Sequence, residues 1–230
     1  MPCNLYGKLP TKRDFIAMGA TRDFLDQWEP WLQSGVSASQ ATLTDQWQKA
    51  FLRAPIWRFW LGADLCGVPV IGAFMPSLDK VGRYFPLTLF ACADQGATIP
   101  PPEIDAQDNW FEAAEDFLIS TLDQAKTFEA AMVDLNELAT PLQTELAHKL
   151  PPDIFLESNA TVSIKDGDRH FTDQFASLRQ ADHRKIYSGT TCWWTVGGED
   201  FAPMAFCAKR MPDPFLFAAM LTGQFAAVPA

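Results

Sequence analysis

Ser77, Asp79, Lys80 and Arg83 share the short stretch Met75-Pro76-Ser77-Leu78-Asp79-Lys80-Val81-Gly82-Arg83-Tyr84-Phe85-Pro86-Leu87. A hydroxyl, a carboxylate and two cations in one loop could act as a hydrolase nucleophile, cradle a phosphate or recognise a charged partner. The first two need partners that the chain does not supply. Ser77 has no G-x-S-x-G around it, so no nucleophile elbow is indicated. Gly7-Lys8-Leu9-Pro10-Thr11 lacks the upstream glycines of a phosphate-binding loop, and too little chain precedes it for a full strand. His148, His170 and His183 stand alone, without helical pairing or cysteine neighbours, so neither a metal site nor a Ser–His pair is indicated. Asp14, Asp23 and Asp26 are carboxylates of the kind that helix surfaces carry routinely, and no dinucleotide glycine fingerprint is present. The sequence therefore predicts no catalytic residue, no metal and no cofactor.

Recognition remains. Lys8, Lys12, Arg13 and Asp14, followed by Phe15, form a second charged segment suited to an acidic or phosphorylated partner. Trp193-Trp194 is a third candidate. Adjacent strand residues point to opposite faces, so one indole should enter the core while the other meets a helix layer or an exposed surface. An exposed indole would suit an interface, where Trp is enriched among hot spots.

These residues must be positioned by a scaffold. Val68–Phe74 and Phe85–Cys92 are apolar runs that read as buried strands, and 75–87 links them. Pro76, Pro86 and Gly82 make that link a rigid corner. Residues 3–19 read as a short extended segment and a loop. Thr21 caps a helix through Phe24, Leu25, Trp28, Trp31 and Leu32, which Pro30 should kink or restart. Thr44 caps a second helix ending at Pro55, and Ile56–Leu61 is a strand. After a loop at 94–107, Asp108 or Asn109 caps a helix through Trp110 to Leu122, and Phe128–Leu138 forms another. Leu142 and Leu146 extend a further turn or helix. Ile154–Glu157 and Thr161–Ile164 are short strands, and Asp166-Gly167 turns a hairpin into Arg169–Phe171, whereas 172–187 is ambiguous. Thr190–Val196 and Met204–Ala208 are strands, and Asp213-Pro214 starts a last helix. Sequential strands with short links favour antiparallel neighbours. The expected fold is α/β: a single-domain layered α/β/α sandwich over 1–230 with a mostly antiparallel or mixed central sheet.

Composition narrows the partners. The formal net charge is −10, which disfavours nucleic acid and anionic membrane surfaces. Residues 103–137 hold ten acids and one lysine, while 1–58 hold seven bases and five acids. That asymmetry could steer a charged protein partner. Eighteen Phe and eight Trp indicate an aromatic core. Five scattered cysteines, none in a C-x-x-C, fit a reduced cytosolic protein. Neither a signal peptide nor a membrane-spanning run is visible, so the expected location is the cytoplasm.

Five segments together resemble the TagF family, also called ImpM, associated with bacterial type VI secretion. They are Tyr6-Gly7-Lys8-Leu9-Pro10 with Asp14-Phe15; Trp28 with Trp31-Leu32; Ala54-Pro55-Ile56-Trp57-Arg58-Phe59; Met75-Pro76-Ser77 with Asp79 and Val81-Gly82-Arg83-Tyr84-Phe85-Pro86-Leu87; and Cys192-Trp193-Trp194-Thr195. The resemblance is dense over roughly 5–125 and returns near Trp193. It implies an accessory protein rather than an enzyme: a post-translational repressor of secretion that binds the forkhead-associated (Fha) scaffold protein of the same system. A PP2C-type phosphatase acting in the same pathway is a further partner it implies. The candidate partner-binding residues are Lys8, Arg13, Asp14, Ser77, Asp79, Arg83, Trp193 and Trp194. Asp79 and Arg83 either lock the N-terminal segment or face the partner. The rival reading is a small-molecule binding or sensing domain with an aromatic pocket beneath the 75–87 loop.

Overall fold

A computed structural model describes residues 3–145, 154–156, 162–164 and 170–225. Strands β1 (Asn4–Gly7) and β2 (Ile16–Met18) precede the long helix α1 (Arg22–Leu43), a 3₁₀ turn (Thr44–Gln46) and α2 (Trp47–Arg53). Next come β3 (Trp57–Leu61), the one-turn α3 (Ala63–Cys66), β4 (Val70–Met75), β5 (Leu87–Cys92) and β6 (Ala97–Thr98). Helices α4 (Asp108–Ser120) and α5 (Phe128–Glu137) lead to the short strands β7 (Thr144–Glu145), β8 (Ile154–Leu156) and β9 (Val162–Ile164). The chain continues through α6 (Phe171–Ala181), α7 (His183–Tyr187), β10 (Thr190–Thr195), β11 (Met204–Lys209) and α8 (Leu216–Thr222).

Seven strands form one sheet in the order β11-β10-β3-β4-β5-β1-β2. Every neighbouring pair in it is antiparallel. An antiparallel sheet usually shows water one face and so alternates apolar with polar residues. Here β3, β4 and β5 are buried at every position. Helices cover both faces. Phe24, Trp28 and Trp31 of α1 and Phe217 of α8 pack on Phe59, Phe74, Phe90 and Trp193. On the other side Trp110, Phe111, Phe117 and Leu118 of α4 pack on Trp60, Ile71, Ala73, Leu87 and Leu89. The expected α/β sandwich with an antiparallel sheet is the observed architecture.

The indoles bring buried N–H groups that need acceptors. Trp28 donates to Thr88 Oγ1 at 3.0 Å, Trp31 to the Pro212 carbonyl at 2.9 Å and Trp57 to the Met220 carbonyl at 2.9 Å. Trp60 donates to the Ile99 carbonyl at 3.0 Å and Trp193 to Thr191 Oγ1 at 2.8 Å. These bonds pin loops and the C-terminal region to the sheet.

Several local expectations differ from the fold. α1 runs unbroken through Pro30. Pro30 lies on the exposed face, where water can meet the carbonyl that loses its partner, while Phe24, Trp28, Trp31 and Leu32 hold both halves on the core. The residue preceding α4 is Gln107, at φ 51°, rather than Asp108 or Asn109. Its amide both donates to the Leu142 carbonyl (3.1 Å) and accepts the Leu142 N–H (2.8 Å), which fixes that unusual backbone. Those same bonds tie Leu142 to Gln107 outside any helix, and β7 at Thr144–Glu145 stands where a helical turn was expected. Residues 171–187 resolve into two helices, with Phe171 opening α6. α8 begins at Leu216, after Asp213 accepts the Phe215 N–H at 2.9 Å. Leu146, His148 and the Asp166-Gly167 turn lie outside the described residues.

Candidate functional site

The corner at 76–86 closes one end of the sheet. Met75 and Leu87 face each other across β4 and β5, and Gly7 faces Leu87 from β1. Lys8 therefore leaves β1 directly beside the corner. Gly7 makes this possible, because its φ is +130° and a Cβ there would lie 2.1 Å from the Pro86 carbonyl oxygen.

Asp79 is the centre of the corner and is fully buried. Its Oδ2 accepts from Lys8 Nζ at 2.9 Å and from Arg83 Nε at 2.6 Å. Its Oδ1 accepts the backbone N–H groups of Val81 at 3.0 Å and Arg83 at 2.9 Å. Desolvation pushes the Asp79 carboxyl up. The Arg83 N–H, the Lys8 ammonium, the Arg83 guanidinium and the Val81 N–H outweigh it and hold the group well below the usual carboxylate range. Around it the Asp79 N–H donates to the Arg83 carbonyl (3.1 Å) and the Gly82 N–H to the Asp79 carbonyl (2.9 Å), a tight turn that uses Gly82 at φ +84°.

The N-terminal loop is stitched to this turn. Ser77 Oγ donates to the Lys8 carbonyl at 2.8 Å, the Lys80 N–H donates to the Lys12 carbonyl at 2.8 Å, and Arg83 Nη2 donates to the Arg13 carbonyl at 2.6 Å. Phe15 stands edge-on to Phe85 at 4.9 Å, and Lys8 Nζ lies 5.1 Å from the centre of the Phe15 ring. Tyr6 packs on both rings at 6.3 Å. Beneath the corner lie Asp79 with Lys8 and the buried rings of Tyr6 and Phe85, while Phe15 stays exposed at the edge.

The eight candidate residues divide sharply. Lys8, Ser77 and Asp79 are buried and act on the corner from within. Trp193 is also fully buried, stacked in the aromatic core at 5.8 Å from Trp28. None of these four presents a side chain to a partner in this conformation. Trp194 points to the opposite face, as strand geometry requires, half-buried and edge-on to Phe111 at 4.8 Å. Arg13, Asp14 and Arg83 are exposed, and the Arg83 side chain keeps 61% of its surface in water while its Nε stays on Asp79. Lys80, Val81 and Phe15 are exposed with them. The outer face of the corner is thus cationic with an aromatic edge, and can receive a carboxylate or phosphate in forked hydrogen bonds.

The sequence reading missed a second buried ion pair. Arg58 on β3 meets Glu115 of α4 through Nε (2.6 Å) and Nη2 (3.0 Å), with Asp108 Oδ1 at 3.6 Å and the Phe111 ring at 5.1 Å. The signal was available: Arg58 is a charge inside the apolar run Trp57-Arg58-Phe59-Trp60. His183 is buried with Nε2 3.4 Å from Thr98 Oγ1 and has its pKa lowered, by burial first and then by Arg184. His170 caps α6, accepting the Thr172 N–H. Among the described residues no three His, Cys, Asp or Glu side chains converge as a metal site, and no helix is long and apolar enough to cross a membrane.

The family model described as the TagF N-terminal domain, type VI secretion system-associated, matches residues 4–138. That span contains β1, the corner and α4. Among solved structures, the crystal structure of PA0076 from Pseudomonas aeruginosa PAO1 is similar, with 30% sequence identity and a TM-score of 0.80. The match covers 99% of this chain and 97% of that one. No curated protein sequence is significantly similar to this chain.

Proposed function

Because the chain belongs to the TagF family of type VI secretion-associated proteins, we propose that it is a non-enzymatic, cytoplasmic repressor of that machinery which acts by binding the forkhead-associated scaffold protein. A PP2C-type phosphatase acts in the same pathway. The binding face is the outer surface of the corner: Arg83, Arg13, Asp14 and Lys80, with Phe15 at its edge.

One observation carries this reading. Buried Asp79 holds Arg83 by backbone and side chain together, yet the guanidinium stays open to solvent. An arginine fixed before binding gives up less side-chain entropy on docking, and arginine and aromatic residues are favoured anchors at interfaces. The cationic face suits an acidic or phosphorylated surface on the scaffold. The test is co-elution of the purified protein with the Fha scaffold of its own secretion system, together with affinity capture from cells carrying that system. Recovery of the scaffold in both supports the assignment, whereas its absence from both overturns it.

A further inference from the structure

Cys192 and Cys207 face each other directly across β10 and β11, and their sulfurs lie 3.4 Å apart. Directly opposed residues of an antiparallel pair have Cα atoms about 4.5–5.5 Å apart, inside the range that a disulfide spans. The two thiols differ in access. Cys192 is buried against the α4 layer, whereas Cys207 is exposed on β11, the outermost strand of the sheet. Burial pushes the Cys192 thiol pKa up, so Cys207 is the group that a solvent oxidant meets first. An accessible sulfur with a second one at its side is the arrangement that redox-sensing cysteines use. Cys3, Cys66 and Cys92 are all buried.

We propose that Cys192 and Cys207 form a reversible, peroxide-driven disulfide that staples β11 to β10. The Cys207 sulfur attacks one oxygen of hydrogen peroxide. The O–O bond breaks, hydroxide leaves and Cys207 becomes a sulfenic acid. The Cys192 sulfur then attacks the Cys207 sulfur, the S–O bond breaks and a second hydroxide leaves. The two thiol protons convert both hydroxides to water, so two thiols lose two electrons and the peroxide gains them. A dithiol reductant reverses the bond. The bridge closes a short loop through Gly197 and Gly198, and it fixes the open edge of the sheet without moving the corner at 76–86.

The test is intact-mass analysis of the full chain, reduced and then treated with hydrogen peroxide. The expected product is about 2 Da lighter, with two of the five thiols closed to alkylation and both restored by dithiothreitol. Cleavage after Glu199, which lies between the two cysteines, should leave the two halves joined. The oxidised form should melt roughly 3–10 °C higher. Cys207→Ser, a change at an exposed site, should abolish the mass loss. Oxygen addition at Cys207 without a bridge overturns the proposal, as does a 2 Da loss that persists in Cys207→Ser. A melting point that is unchanged or lowered by the bridge overturns the stapling.

Discussion

The Lys8–Asp79–Arg83 cluster and the Arg58–Glu115 pair both bury opposite charges, but they bind different things. Glu115 meets one guanidinium, side chain to side chain, and so ties α4 to β3. Asp79 meets two cations and two backbone N–H groups, and so ties the chain at 79–83 to itself and to the segment after β1. A side-chain pair can in principle be replaced by apolar groups of similar volume. A carboxylate that also satisfies backbone donors is harder to replace, because the donors remain after the charge is gone. The first pair holds layers together, and the second shapes a surface.

The largest effect should come from Asp79→Ala. It leaves Lys8 buried without its carboxylate and orphans the Val81 and Arg83 N–H groups. The expected loss is about 3–5 kcal/mol, a fall in Tm of roughly 6–20 °C, measured by thermal and urea unfolding. A smaller loss than that of Arg58→Met would break the contrast between the two sites.

Double variants sharpen it. Arg58→Met alone should cost about 1–3 kcal/mol, because Glu115 then stands unpaired but keeps some contact with water. Arg58→Met with Glu115→Leu should recover most of that loss. Lys8→Met with Asp79→Leu should recover little, since the backbone donors stay unmet. Equal recovery at both sites would show that Asp79 is an ordinary ion pair.

The pH dependence is smaller and has a definite sign. The folded-state pKa of Asp79 is depressed, so its contribution is fully present above the unfolded carboxylate value, about 3.9, and is lost as pH falls through the folded value. The stability gap between wild type and Asp79→Asn should therefore stay flat from neutral pH down to about 5 and shrink below about 4. A gap that closes between pH 6 and 8 would contradict the assignment of the charge to Asp79.

Much of the frame could be read from residue types. The apolar runs around 68–74 and 85–92 gave the central strands, and their unbroken burial follows from helices on both faces. The resemblance pointed to the corner, and Gly7, Gly82 and Asp79 show why those residues sit there. What stayed hidden depended on contacts distant in sequence. Which of Trp193 and Trp194 enters the aromatic core depends on the register of β10 on β3. Whether Arg83 locks or recognises was open because the lock does not bury it: its Nε turns inward to Asp79 and its Nη2 to the Arg13 carbonyl, while 61% of the side chain stays in water. Pro30 misled because the cost of a helix proline depends on whether the lost bond faces solvent.

The central claim is that the corner separates a buried frame from an exposed binding face. Arg83→Ala tests it most directly, with scaffold affinity and Tm measured on the same preparation. The exposed guanidinium should contribute less than about 1 kcal/mol to stability, so Tm should move by no more than about 4 °C. Affinity for the forkhead-associated scaffold should fall at least about tenfold, as expected for loss of an interface arginine. Wild-type affinity in this variant, or a loss of binding that merely follows a large fall in Tm, would contradict the account.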